Sequence, residues 1–234
     1  MNILCITHAD FEPPGIIEPW SKDRNYAFCI CKPYKGEDCL QSWESEAFDF
    51  LIVMGGPQSP LKIDKYPYLK DEITLIKKAI SKDKTILGFC LGAQLVGEAL
   101  GATTQKSPEK EIGVFPISLS ANGLEDPLLS GFPRSFPVIH WHNDMPGETQ
   151  DSKVLAYSAG CPKQIIRYGS KIYGFQCHLE ITKTGIADLI KASQANDDLK
   201  PGKFVQSPET LLKQDYDSIN QSMIKILDRL AIFN

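Results

Sequence analysis

Cys90 sits midway between two glycines, in Gly88-Phe89-Cys90-Leu91-Gly92. Thr85-Ile86-Leu87 before it reads as the end of a buried strand, and Ala93-Gln94-Leu95-Val96 after it has helical composition. A strand that turns sharply into a helix, with glycine two residues to either side of the turn, is an arrangement that presents a nucleophile. Here the nucleophile is a thiol. The turn projects the sulfur from the end of the sheet and sets it at a helix N-terminus, where unpaired N–H groups and the dipole favour a thiolate. A buried, inert cysteine fits the same five residues, so a base and an oxyanion site elsewhere in the chain must decide.

A cysteine nucleophile needs an imidazole within hydrogen-bond reach, and the imidazole needs an orienting acceptor. The four histidines are His8, His140, His142 and His178. His178 carries a candidate acceptor in His178-Leu179-Glu180, because residues i and i+2 of an extended segment point to one side. His8 follows the first apolar run and can reach the same rim. His140 and His142 flank Trp141 and also share a side if extended, but no third ligand of the right type stands near them, so no metal is expected. For an oxyanion, Gly55-Gly56-Pro57 ends a strongly apolar run and lets backbone N–H groups come close to a ligand.

These residues need a frame. Residues 2–7, 25–32, 48–54 and 84–89 are apolar runs of strand length, while residues 8–24 begin as an irregular loop around Pro13, Pro14 and Gly15. From Pro67 a helix is expected, with Leu69, Ile73, Ile76 and Ile80 on one face, and another runs from 91 to about 101. Alternating strands and helices predict a three-layer α/β fold, a doubly wound and mostly parallel sheet that binds ligands at its strands' carboxyl ends. Gly55, Gly56 and Cys90 all fall at those ends. Residues 112–119, 136–141, 153–157, 164–168 and 171–177 are shorter strand-like runs that predict an antiparallel extension. Helices are expected over 184–195 and, opening on Ser207-Pro208, over 207–230, all within one domain spanning 1–234.

A chain of 234 residues can bury a substantial core, and 42% hydrophobic with 23% charged residues is ordinary for a globular protein. The net charge of −4 gives no reason to expect nucleic acid or an anionic membrane as partner. No run approaches the ~20 apolar residues of a membrane span, and the first residues do not read as a secretory signal. The cysteines at 5, 29, 31, 39, 90, 161 and 177 form no C-x-x-C pair, which predicts reduced thiols and a cytoplasmic location. There is no G-x-x-x-x-G-K-[ST] phosphate loop.

Three segments in order, Met54-Gly55-Gly56-Pro57, Gly88-Phe89-Cys90-Leu91-Gly92-Ala93-Gln94 and Gly174-Phe175-Gln176-Cys177-His178-Leu179-Glu180, resemble the class I, triad-type glutamine amidotransferases. Lys110-Glu111-Ile112-Gly113 and Trp141-His142-Asn143-Asp144 also look like family segments, so the resemblance covers about residues 2–182. Within the family the chain is similar to stand-alone, GMP-synthase-like members. Cys177 and Leu179 stand where many members have Phe and Pro, and Asn143 where many have Gly, a change that bears on backbone contacts to substrate.

The resemblance implies a flavodoxin-like fold and an amide hydrolase or transferase that needs no cofactor. It assigns Cys90 as nucleophile, His178 as acid and base, Glu180 as its orienter, and the N–H groups of Gly56 and Leu91 as the oxyanion hole. It implies Gly55, Gln94, His142, Asn143 and Asp144 as substrate-binding residues. Glutamine would yield glutamate and ammonia, with a synthetase or other acceptor-activating protein in trans as partner. Two alternatives stay open: a γ-glutamyl peptide hydrolase with the same triad, and a non-catalytic binding or regulatory protein on the same fold.

Overall fold

In the computed structural model, which describes residues 1–37, 48–194 and 198–233, the early apolar runs form β1 (Asn2–Ile6), β2 (Ala27–Cys31), β3 (Phe50–Val53) and β4 (Thr85–Phe89). Ile3, Cys5, Phe50, Ile52, Leu87 and Phe89 point into one core, and Leu4, Ile6, Leu51, Val53 and Ile86 into a second core on the opposite face. A strand buried on both faces must be apolar on both, which is why these runs are continuous rather than alternating.

The later strands are β5 (Gln105–Leu119), β6 (Ser135–Met145), β7 (Lys153–Tyr157), β8 (Ile165–Arg167), β9 (Ile172–Phe175) and β10 (Phe204–Val205). They extend one sheet in the order β10-β5-β7-β8-β9-β4-β3-β1-β2, with β6 paired to β5. From β9 to β2 every pairing is parallel, and from β9 through β8, β7 and β5 to β6 every pairing is antiparallel.

The helices are α1 (Ile17–Asp23), α2 (Tyr68–Ser81), α3 (Leu91–Ala99), α4 (Ala121–Glu125), α5 (Lys183–Ser193), α6 (Pro208–Leu211) and α7 (Tyr216–Ala231). α2 and α3 cover one face through Leu69, Ile76, Leu91 and Leu95, while α1, α5 and α7 cover the other through Trp20, Ile186, Ile219 and Met223. α1 and α7 are joined by polar contacts as well. The Trp20 indole donates to Asp228 Oδ1 at 2.9 Å, and Arg24 grips both oxygens of Asp228 at 2.5 and 2.7 Å.

Three expectations need correction. The helix expected over 207–230 is broken, because the Asp215 side chain accepts the Ser218 N–H at 3.1 Å and starts α7 as a new helix. β5 and β6 reach much further than their apolar cores, to Gln105 and Met145, with a register shift between Lys106 and Glu111 where Pro108 cannot donate to the ladder. Cys5, Cys29, Cys90, Cys161 and Cys177 are free thiols, but Cys31, buried at the end of edge strand β2, is disulfide-bonded; Cys39 lies outside the described residues. Among the described residues no helix is long and apolar enough to cross a membrane.

Candidate active site

Cys90 adopts φ 47° and ψ −106° between β4 and α3, a conformation that an L-residue keeps only when its surroundings impose it. The surroundings do so from both sides: its N–H donates to the Phe175 carbonyl at 2.7 Å and its carbonyl accepts the Gln94 N–H at 3.1 Å. The flanking glycines are required by space. A Cβ on Gly88 would stand 2.5 Å from the Gly92 backbone, and one on Gly92 would overlap the Val53 carbonyl.

His178 follows β9 and is pinned by a two-way bridge to Ile139, its N–H donating at 2.7 Å and its carbonyl accepting at 2.9 Å. Its Nδ1 lies 2.6 Å from Glu180 Oε1, and Glu180 Oε2 accepts the Leu179 N–H at 3.0 Å. The Phe89 ring lies nearly parallel to the imidazole, at an interplanar angle of 12°. Burial opposes charge on the ring, but the Glu180 carboxylate and hydrogen bonds with Cys90 and Glu180 outweigh it, so His178 titrates well above the ordinary 6.5. The Glu180 carbonyl in turn accepts the Ile16 N–H at 2.9 Å, at a turn where Gly15 has φ 59° and any Cβ would overlap that carbonyl.

Cys90 opens onto a cleft of about 410 Å³ whose walls include Gly56, Gln94, Trp141 and Asn143. Gln94 lines it while donating to Gln176 Oε1 at 3.1 Å, and Asn143 is exposed on its wall. The Asp144 carboxylate is held by Lys106 at 2.5 Å and Ser59 at 2.6 Å. His142 borders the cleft, but its Nε2 is engaged by Glu111 at 3.2 Å and Gln164 at 3.1 Å. Gly55 is buried beneath the site, its carbonyl turned to His8.

Residues 27–192 match the profile of the family Glutamine amidotransferase class-I. The chain belongs to that family. It is 41% identical over 236 residues to the glutamine amidotransferase-like protein YfeJ of Salmonella typhimurium, covering 99% of this chain and 98% of YfeJ. Over 114 residues it is 33% identical to one subunit of the glutamine-hydrolyzing GMP synthase of Methanococcus maripaludis, a match covering 48% of this chain and 59% of that protein. The crystal structure of SMU.1228c superposes with a TM-score of 0.93 at 43% identity, covering 99% of this chain and 100% of that one.

The amidotransferase fold also completes a cluster that the sequence left open. β5 brings Glu111 to His140 and His142, with one potential ligand atom from each lying within 4.8 Å of the others, so the third residue judged absent is present. Sequence distance concealed it. The donors already in place use up the carboxylate: Ser158 Oγ at 2.8 Å and Gln164 Nε2 at 2.7 Å on Oε2, and Gly160 N at 3.2 Å on Oε1. Burial pushes His140 down to about 3, so it is neutral here. As it stands the cluster is a hydrogen-bond hub that ties the cleft wall to the segment leading into β8.

Two acids of this amidotransferase escaped the sequence reading. Glu12 Oε2 stands 2.8 Å from the position a Gly55 Cβ would take, a position that is also 3.2 Å from His178 Cε1 and 3.5 Å from Cys90 Cβ. Burial pushes Glu12 up to about 6 against the pull of His178 and His8. Its signal was an acid in a Pro-Gly loop directly after a rim strand. The second is Glu72, fully buried on the apolar face of α2 between Leu69 and Leu75. A carboxylate on a core stripe is the cue that was available.

Proposed function

We propose that this amidotransferase hydrolyses the side-chain amide of glutamine through a γ-glutamyl thioester on Cys90. With its proton taken by His178, Cys90 Sγ attacks the amide carbon and the carbonyl oxygen becomes an oxyanion. That oxyanion is held by the N–H groups of Gly56 and Leu91, the latter in the first turn of α3 and so without an intrahelical acceptor. His178 returns the proton to the nitrogen, the C–N bond breaks and ammonia leaves. Water, deprotonated by the same ring, then cleaves the thioester to glutamate and restores the thiol. Gln94, His142, Asn143 and Asp144 line the cleft that takes the glutamyl group, with Gly55 beneath it.

The observation that carries this reading is that His178, paired with Glu180 at 2.6 Å, and Cys90 converge on one spot, a Gly55 Cβ position 3.2 Å from His178 Cε1 and 3.5 Å from Cys90 Cβ, although the thiol itself points to the Trp141 carbonyl at 3.7 Å. It also speaks against a non-catalytic role. The relative named as part of a GMP synthase supports delivery of ammonia to a synthetase or other acceptor-activating protein in trans. Elements on both sides of the family match share one core, from Ile3 to Leu230, which supports a single domain over 1–234.

One observation favours a second reading, hydrolysis of γ-glutamyl peptides. A cleft of about 410 Å³ falls in the range of roughly 300–1,000 Å³ typical of drug-sized ligands, more than one amino acid fills. The test is glutamate release from glutamine and from γ-glutamyl dipeptides, with Cys90→Ala as control. Release from glutamine, lost in the variant, is the expected result; release from dipeptides alone moves the assignment to the peptidase. Silence on both, with a thiol alkylated by iodoacetamide no faster than free cysteine, defeats the nucleophile assignment.

A further inference from the structure

His8 is buried behind the cleft, and each of its ring nitrogens faces an acceptor. Nδ1 lies 3.0 Å from the Gly55 carbonyl and Nε2 lies 2.8 Å from Glu72 Oε2, with both side chains fully shielded from solvent. A neutral imidazole has one N–H and can serve only one of these partners; the other would meet a lone pair. With Glu72 ionised, only the doubly protonated ring satisfies both; a neutral ring would do so only if Glu72 carried the proton and donated it to Nε2. A buried ion pair of this kind is costly to assemble, and its best-attested use is to fix geometry rather than to add stability.

What it fixes is one peptide plane. The Gly55 carbonyl and the Gly56 N–H belong to the same peptide, which is trans like every other in the described chain, so the two point in opposite directions. Holding the carbonyl from behind aims the Gly56 N–H forward, into the cleft that Gly56 lines. The approach is close: a Cβ on Gly56 would stand 2.5 Å from His8 Cβ and from Gln58 Oε1, and Gln58 Nε2 donates to the His8 carbonyl at 3.0 Å.

We propose that His8 is a positioning residue, an imidazolium that pairs with Glu72 and clamps the Gly55–Gly56 peptide so that the Gly56 N–H meets the oxyanion. The inference rests on the hydrolytic reading above. Besides Glu72 from α2, the groups acting on His8 are Glu12 from the loop after β1 and, through Glu72, Tyr68 at the start of α2.

The test compares His8→Leu, His8→Asn and Glu72→Gln. Loss of the clamp should lower kcat for glutamine at least about tenfold, since loss of a whole oxyanion donor costs about 10²–10³, with KM within about twofold. Asn, which can still donate to the Gly55 carbonyl, should recover most of the rate. Glu72→Gln should move the alkaline limb of kcat to lower pH, because the ring loses the anion that keeps its second proton. Iodoacetamide should alkylate Cys90 at an unchanged rate in all three, as alkylation forms no oxyanion. Ring ¹⁵N shifts of His8 in the unmodified protein should report two N–H groups at neutral pH. A single N–H there overturns the inference whatever the activity, and so does an unchanged kcat in His8→Leu. If that variant fails to fold, the Glu72→Gln pH profile and the ring shifts of the unmodified protein still decide. An unmodified protein that hydrolyses neither glutamine nor γ-glutamyl dipeptides defeats the hydrolytic reading instead, and the ring shifts still report on the clamp.

Discussion

Asn220 brackets Glu180: its Nδ2 donates to the Leu179 carbonyl at 2.7 Å and to the Ile181 carbonyl at 3.1 Å. With the Ile16 N–H on the carbonyl of Glu180 itself, three consecutive carbonyls are fixed from outside the segment. The side chain that faces His178 therefore rests on a backbone braced by α7 and by the start of α1. Asn220 lies beyond the stretch in which the family motifs occur.

Asn220→Ala should accordingly impair both stability and turnover. It strands two buried carbonyls, at about 1–3 kcal/mol for each acceptor left unsatisfied, and frees Glu180 to drift. Urea denaturation should show a lower midpoint with unchanged slope, and kcat should fall more than KM changes. A variant as active and stable as the parent would show that the bracket is idle.

Glu180→Gln keeps the shape and removes the anion. By analogy with other triads, kcat should fall by about 10²–10⁴-fold. Stability should respond in a particular pH window. Because His178 titrates above 6.5 when folded, its pairing stabilises the protein fully below that value and the contribution fades as pH rises through the folded value. Urea melts from about pH 6 to about pH 9 should show that decline in the parent and a flatter curve in the variant. Parallel curves would remove Glu180 as the cause.

Glu12→Gln should stabilise the protein, and only at higher pH. Glu12 shifts from 4.5 to about 6 on folding, so the unfolded chain ionises first and stability drops as pH rises across that interval. A neutral amide avoids the drop. The variant should match the parent below about pH 4 and exceed it by up to about 2 kcal/mol above about pH 7. A gain of equal size at both ends would point to packing instead.

Gly92→Ala should be poorly tolerated despite alanine's higher helix propensity. The new methyl overlaps the backbone carbonyl of Val53, which cannot swing aside as a side chain can, at a cost of about 1–3 kcal/mol or more. Gly101→Ala is the control: no atom stands within 4 Å, so only its φ of 81° is penalised, by about 1–2 kcal/mol. Equal urea midpoints for the two variants would contradict the steric account.

The frame was legible because a parallel strand buried on two faces leaves an unbroken apolar run, as at Phe50–Val53, and because Cys90 needs glycine at fixed offsets. Glu180 was legible because its partner is two residues away. Partners that come from distant elements were not. Glu111 reaches His142 only through the β5–β6 register, and Glu72 reaches His8 only through the packing of α2 on the sheet. His8 follows a rim strand, and its ring lies behind the rim against Glu72 and the Gly55 carbonyl. The polar stretch from Gln105 to Glu111 is strand through pairing with β6 rather than propensity, so no periodicity announced it.

The docking of α7 on α1 through Asp228 gives the site a place in time. A ribosome delivers Cys90 and His178 before it delivers Asn220 and Asp228, an interval of roughly 2–10 s at ordinary rates of synthesis. During it the first four strands and α3 can assemble, and the thiol can occupy its turn, while the segment carrying its acid–base partner has no brace. On the proposed hydrolytic reading, competence would arrive as a late event of biosynthesis, after Cys90 is in place, and nascent chains halted before α7 should hold a structured elbow that turns nothing over.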